Sequence, residues 1–168
     1  TSIKAAQSNL ILLCNNDVIY EKDCIQRMMK FMRNEPNIFI ASPVELFSKS
    51  NIHQHSDAKL ARYFEKYKKL TSGCVTKGVW NIVSAFMRKS VFETVGYFDE
   101  NFTKAFYEDF DYGHRINEKG IYGVVVGGSV FYHIGSATVV KSSNSTGNKK
   151  YYEKKWRDGY VPGKPIET

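Results

Sequence analysis

The sequence predicts an α/β domain with a mixed, mostly parallel sheet flanked by helices. Three observations predict it. Short continuous apolar runs read as strands covered on both faces. The first run, Asn9 to Cys14, is followed by a helical stretch and then a second run, the order of a right-handed βαβ unit. The chain of 168 residues is long enough for one domain with a core and short for two.

Each element follows from its pattern. Lys4 to Ser8 reads as the end of a helix, and Leu10 to Cys14 as the buried strand. In "EKDCIQRMMKFMRNEP", Ile25, Met28, Met29 and Met32 repeat at helical spacing and Pro36 closes the segment. This methionine stripe reads as core. "NIFIASP" is the second buried strand. Ser48 to Asp57 is a polar loop, in which His53 and His55 read as surface residues rather than metal ligands. "KLARYFEKYKKL" is a basic helix. "VWNIVSAFMR" is a strand, "KSVFETVG" a short helix ending at Gly96, and Tyr97 to Gly120 a loop leading into a helix. "IYGVVVGGSVFYH" is strand-like and interrupted at Gly127-Gly128. "SSNSTGN" reads as a loop, and "KKYYEKKWRDGY" is the candidate for a last helix.

Composition narrows the function classes. Apolar residues make up 42% and charged residues 24%, a globular balance, and no apolar run nears the roughly 20 residues of a membrane span. The opening residues carry no signal peptide. The chain lacks an initiator Met, so it reads as a fragment or a processed form. Cys14, Cys24 and Cys74 show no CxxC spacing and read as reduced thiols of a cytosolic protein. Lys and Arg outnumber acids 24 to 17, a net charge of +7. The basic residues concentrate in Lys59 to Leu70 and after Lys141. Their first reading is a solvated helix face and tail, and their second is peripheral contact with anionic lipid headgroups. The aromatic pattern does not match an RNA-binding strand, so no nucleic acid partner is expected.

Three polar clusters are candidates for chemistry. Asn15-Asn16-Asp17 closes the first strand. It is either an Asx turn or, at the carboxyl end of a parallel strand, a ligand edge where a carboxylate holds a divalent cation. Glu108-Asp109-Phe110-Asp111 packs three acids into four residues, which favours shifted pKa values. On a helix Asp111 pairs with Arg115 at i, i+4, whereas Asp109 points about 100° from Glu108 and is left for proton abstraction. His133 alone reads as a packed histidine, and it is also a candidate to complete a metal site begun by Asp17.

Taken in order, "LILLCNND", "GYFDENF", "YEDFDYGHRINEKG" and "FYHIGS" resemble the second part of a GT-A-fold (Rossmann-like) glycosyltransferase of family 2, of the rhamnosyltransferase-like kind. The resemblance runs from about Lys4 to His133, with a fainter echo at "YYEKKW". It implies a metal-dependent, inverting transfer of a sugar from a nucleotide-sugar donor (UDP- or dTDP-linked) to a hydroxyl of a saccharide or lipid-linked acceptor. In that reading Asp109 is the catalytic base and Glu108 its helper. Asp17 and His133 hold a divalent cation, Mn²⁺ or Mg²⁺. Asn15, Asn16, Trp80, Ser84 and Asp111 meet substrate, and Gly96, Phe98 and Asp99 shape the acceptor side. Residues 1–136 would form the core and 137–168 a mobile loop and basic tail. Cytoplasmic location, with possible contact at the inner face of a membrane, is the matching expectation. The sequence departs from the family pattern at Asn15, where an Asp is usual, and around Ser84-Ala85, where a Gly is usual. It also lacks the family's N-terminal nucleotide-binding portion, so a GT-A sheet truncated at its N-terminus is expected. Three other readings compete: a non-catalytic remnant that binds a nucleotide sugar, glycan or protein, a metal-dependent phosphatase, and a basic nucleic-acid-binding module.

Overall fold

The computed structural model describes residues 2–46, 57–78, 82–103, 106–134 and 144–157. His53, His55 and Trp80 lie outside the described residues. The strands are β1 (Leu10–Cys14), β2 (Val18–Tyr20), β3 (Ile40–Leu46), β4 (Val75–Lys77), β5 (Ser84–Arg88) and β6 (Gly123–His133). The helices are α1 (Ser2–Ala5), α2 (Cys24–Asn34), α3 (Asp57–Thr71), α4 (Lys89–Val95), α5 (Glu108–Glu118) and α6 (Asn144–Arg157).

The sheet corrects the expected topology. Its order is β1-β5-β3-β6-β2, with β4 also on β6. Only β3 and β6 pair in parallel; β1–β5, β3–β5, β2–β6 and β4–β6 are antiparallel. The open, mostly parallel GT-A or Rossmann-like sheet is therefore not what this chain forms. β1 and β3 do run the same way, as the strand–helix–strand order implied. β5 has inserted between them in the opposite direction.

The sheet also nearly closes into a barrel. β1 and β2 are its two ends, yet residues 15–17 alone connect them. Four Cα steps of about 3.8 Å span at most about 15 Å. A flat path of four strand spacings at about 4.8 Å would need about 19 Å, so the sheet must curl. Both edges grip the connection: Asn15 N–H donates to Val83 O (2.9 Å), and Ile134 N–H donates to Asp17 O (2.9 Å). Tyr20 on β2 and Ser84 on β5 also share a hydroxyl hydrogen bond of 2.8 Å.

The continuous apolar strands are explained by helices on both faces. Ile11, Ile40, Ala85 and Met87 pack with α4 and α5 through Val91, Phe92, Tyr112 and Ile116. Ala41, Phe86, Val124 and Val126 pack with Cys24, Met28 and Met32 of α2. Neighbouring residues thus point to opposite faces, the period-two rule of a strand. The methionine stripe is core, as expected. The basic helix α3 buries Phe64 against Val130 and Tyr132 of β6, with Leu60, Tyr63 and Tyr67 beside it.

Candidate active site

The curled sheet gathers two of the three polar clusters at its seam. Asn15 and Asn16 are exposed in the turn after β1, and Asp17 is half-buried. Because β2 pairs with the end of β6, Val18 lies opposite His133. His133 Nε2 comes to 3.2 Å from Asp17 Oδ1, and His133 Nδ1 to 3.0 Å from Glu45 Oε1. In the tautomer in which Nδ1 donates to Glu45, the neutral ring leaves the Nε2 lone pair facing Asp17; in the protonated ring Nε2 donates to Asp17 instead. The neutral form is the arrangement of a metal-ligand histidine oriented by a second carboxylate. Two ligands about 2.1 Å from one octahedral cation stand about 3 Å apart, so this pair fits a Mn²⁺ or Mg²⁺ ion. Among the described residues no group of three or more His, Cys, Asp or Glu is placed to hold a metal. Asp17 and His133 would need oxygen ligands from substrate or water.

The Glu108–Asp111 cluster opens α5. Its entry is strained: Phe106 and Tyr107 both have left-handed backbones (φ 77° and 74°), costly for residues with a Cβ. A buried asparagine of α6 pins this entry. Asn148 Nδ2 donates to Thr103 O and Phe106 O, each at 2.9 Å, and its Oδ1 accepts from Thr103 N–H at 3.2 Å. The three acids then separate. Asp109 lines a cleft of about 340 Å³ with Ile82, Val83, Phe110, Gly113, His114 and Asn117. Its Oδ1 accepts from the Phe110 N–H (2.8 Å). Glu108 Oε2 is buried, and no donor among the described residues reaches it. Burial, with the Asp109 charge added, raises the Glu108 pKa above the ordinary carboxylate range.

Asp111 faces the interior and is fully buried. Arg115 Nε (3.0 Å), Lys155 Nζ (2.7 Å) and Trp156 Nε1 (3.1 Å) all reach it. Lys155 also reaches Asp99 at 2.7 Å, where Tyr151 OH adds a bond of 2.9 Å. Burial by itself raises the Asp99 pKa, but Lys155, the Asn101 N–H and Tyr151 outweigh it and bring it down to about 2. Ser84 is fully buried against Tyr20, not in the cleft lining. Gly96 has φ 87°, and its carbonyl accepts from Tyr112 OH (3.0 Å). Sequence reasoning missed Glu45, Asn148 and Lys155. An acid inside the apolar strand "IASPVEL" was a usable signal for Glu45, since buried acids are rare without a partner.

The seam and the cleft share a wall, because Asn15 is bonded to Val83. A family model described as "Glycosyltransferase like family 2" matches residues 2–155. The chain belongs to glycosyltransferase-like family 2. A comparison with curated proteins found no match. Family membership makes a transferase-type activity on nucleotide sugars and glycans the general function, and the match extends into α6 as far as Lys155. No helix among the described residues is long and apolar enough to cross a membrane.

Proposed function

We infer that this glycosyltransferase-family chain moves a sugar from a nucleoside-diphosphate donor to an acceptor hydroxyl, with inversion and with a divalent cation. The observation that carries the reading is the Asn15–Val83 hydrogen bond. It joins the Asn15–Asp17 seam to the cleft wall shared with Asp109. Asp109 takes the proton of the acceptor hydroxyl as that oxygen bonds to the anomeric carbon and the bond to the diphosphate breaks. Glu108, the neighbour of Asp109 at the start of α5, helps to orient it. Asp17 and His133 would hold the cation, with Glu45 fixing the imidazole. When bound, that ion supplies Lewis-acid neutralisation of the charge on the departing diphosphate.

Replacing Asp109 with Asn should leave the unfolding temperature almost unchanged and lower sugar transfer by about 10²–10⁴-fold. Transfer at the wild-type rate would refute the base assignment. Mn²⁺ together with UDP or dTDP should raise the unfolding temperature of the wild-type chain. No shift with either nucleotide would argue against the donor site.

A further inference from the structure

The outer side of α3 and the short strand after it form a surface that shares no residue with the cleft lining. At about 100° per helical residue, Arg62, Lys66, Lys69 and Leu70 fall within about 100° of one another. All four are exposed, whereas Leu60, Phe64 and Tyr67 on the other side of α3 pack against β6. The helix ends in a tight turn, in which Ser72 N–H donates to Lys69 O (3.3 Å) and Cys74 N–H to Thr71 O (3.0 Å). That turn leads directly into β4, which is exposed along its whole length. Leu70 is 65% exposed and Val75 is 53% exposed. Lys77 stands over the Tyr122 ring, 3.9 Å from its centre. Residues 66–78 carry Lys66, Lys68, Lys69 and Lys77 and no acid. Lys68 is paired with Glu21 and Glu65, and the other three lysines are exposed.

A lone exposed apolar side chain is ordinary on a protein surface, and so is a charged helix face. Their combination selects the partner. Leu70 and Val75 favour an apolar medium, whereas the cations beside them favour anions and water. An anionic lipid bilayer offers both across its headgroup boundary. A nucleic acid would match the charge but set Leu70 and Val75 against phosphate. The Tyr63 and Tyr67 rings that would stack on bases are packed against the β6 cluster instead. We propose that α3 and β4 form a peripheral docking surface for an anionic membrane. Arg62, Lys66, Lys69 and Lys77 meet the headgroups, and Leu70 and Val75 enter the interface. Each cation adds a weak attraction that salt screens, and the two apolar side chains add burial that salt does not weaken.

Co-sedimentation of the full chain with vesicles tests this. The vesicles are phosphatidylcholine alone and phosphatidylcholine with about one third phosphatidylglycerol. The chain should bind the second kind and not the first. Raising the salt from about 0.05 to about 0.5 M should weaken that binding about ten-fold. Lys66→Gln combined with Lys69→Gln should weaken it about twenty-fold, and Leu70→Ser about five-fold. All three side chains are exposed, so these changes do not threaten folding, and circular dichroism checks that. Lys149→Gln combined with Lys150→Gln removes the same charge from α6 and should weaken binding less than about three-fold. Equal loss in the two double variants makes the attraction a matter of net charge and overturns the docking surface. Binding to both kinds of vesicle alike, or to neither, overturns it too. So does full binding by Leu70→Ser. Polyuridylate is the competing probe. RNA binding that is lost in the Lys66 and Lys69 variant, with no vesicle bound, makes the surface a nucleic-acid contact and overturns the proposal.

Discussion

Glu108 and Asp109 are neighbours in sequence with different surroundings. Asp109 opens into the cleft, whereas Glu108 buries an oxygen that no donor among the described residues reaches. The raised Glu108 pKa therefore has a consequence for stability. Below the ordinary glutamate range the group is neutral in both folded and unfolded chains, and its burial costs little. As pH rises through the higher folded value, the folded state must carry a poorly solvated charge and loses stability. Glu108→Gln should therefore raise the unfolding temperature at neutral pH by about 2 °C. The gain should disappear below the ordinary glutamate range, as thermal scans across pH would record.

Strand β6 shows how an element can carry two tasks. Its first half pairs with β4 and its last three residues with β2, while β3 runs along its other edge. Gly127-Gly128 lies at the change-over, where the β3 register jumps from Pro43–Val126 to Val44–Val130. A Cβ on Gly127 would stand 1.8 Å from the Thr71 carbonyl oxygen at the end of α3. Gly128 needs its left-handed backbone (φ 75°) and donates its N–H to Thr71 Oγ1 at 3.0 Å. The glycine pair thus lets α3 abut the strand at the point where the β3 register shifts. Gly127→Ala should destabilise the protein by about 3 kcal/mol, measured as a shift in the urea midpoint. If the bulge also sets the His133 position, Mn²⁺ affinity should fall with it.

At the scale of the whole molecule, α6 ties the last described segment to the site. Lys155, 3% exposed, bridges Asp99 in the loop after α4 and Asp111 in α5. Lys155→Met should leave buried Asp111 and partly exposed Asp99 short of a cation and cost about 3 kcal/mol in urea unfolding. A loss below about 0.5 kcal/mol would mean that Arg115 alone suffices at Asp111. The sequence by itself determined the longer helices, the strands β1, β3, β5 and β6, the methionine core face and the family motifs, because these depend on local spacing and on residue type; the three-residue strands β2 and β4 are too short to leave such a pattern. Leu10 to Cys14, read as a strand buried on both faces, is an end strand in which Ile11 alone is fully buried and Cys14 is exposed. The sequence did not determine strand direction. Leu-Ile-Leu-Leu reports burial on both faces, and a strand with helices on both sides is buried equally whether its neighbour is parallel or antiparallel. The insertion of β5 between β1 and β3 depends on long-range pairing, which no local pattern records. The same holds for the site. Asp17, Glu45 and His133 are far apart in the chain, and the pairing of β6 with β2 on one side and β3 on the other brings them together.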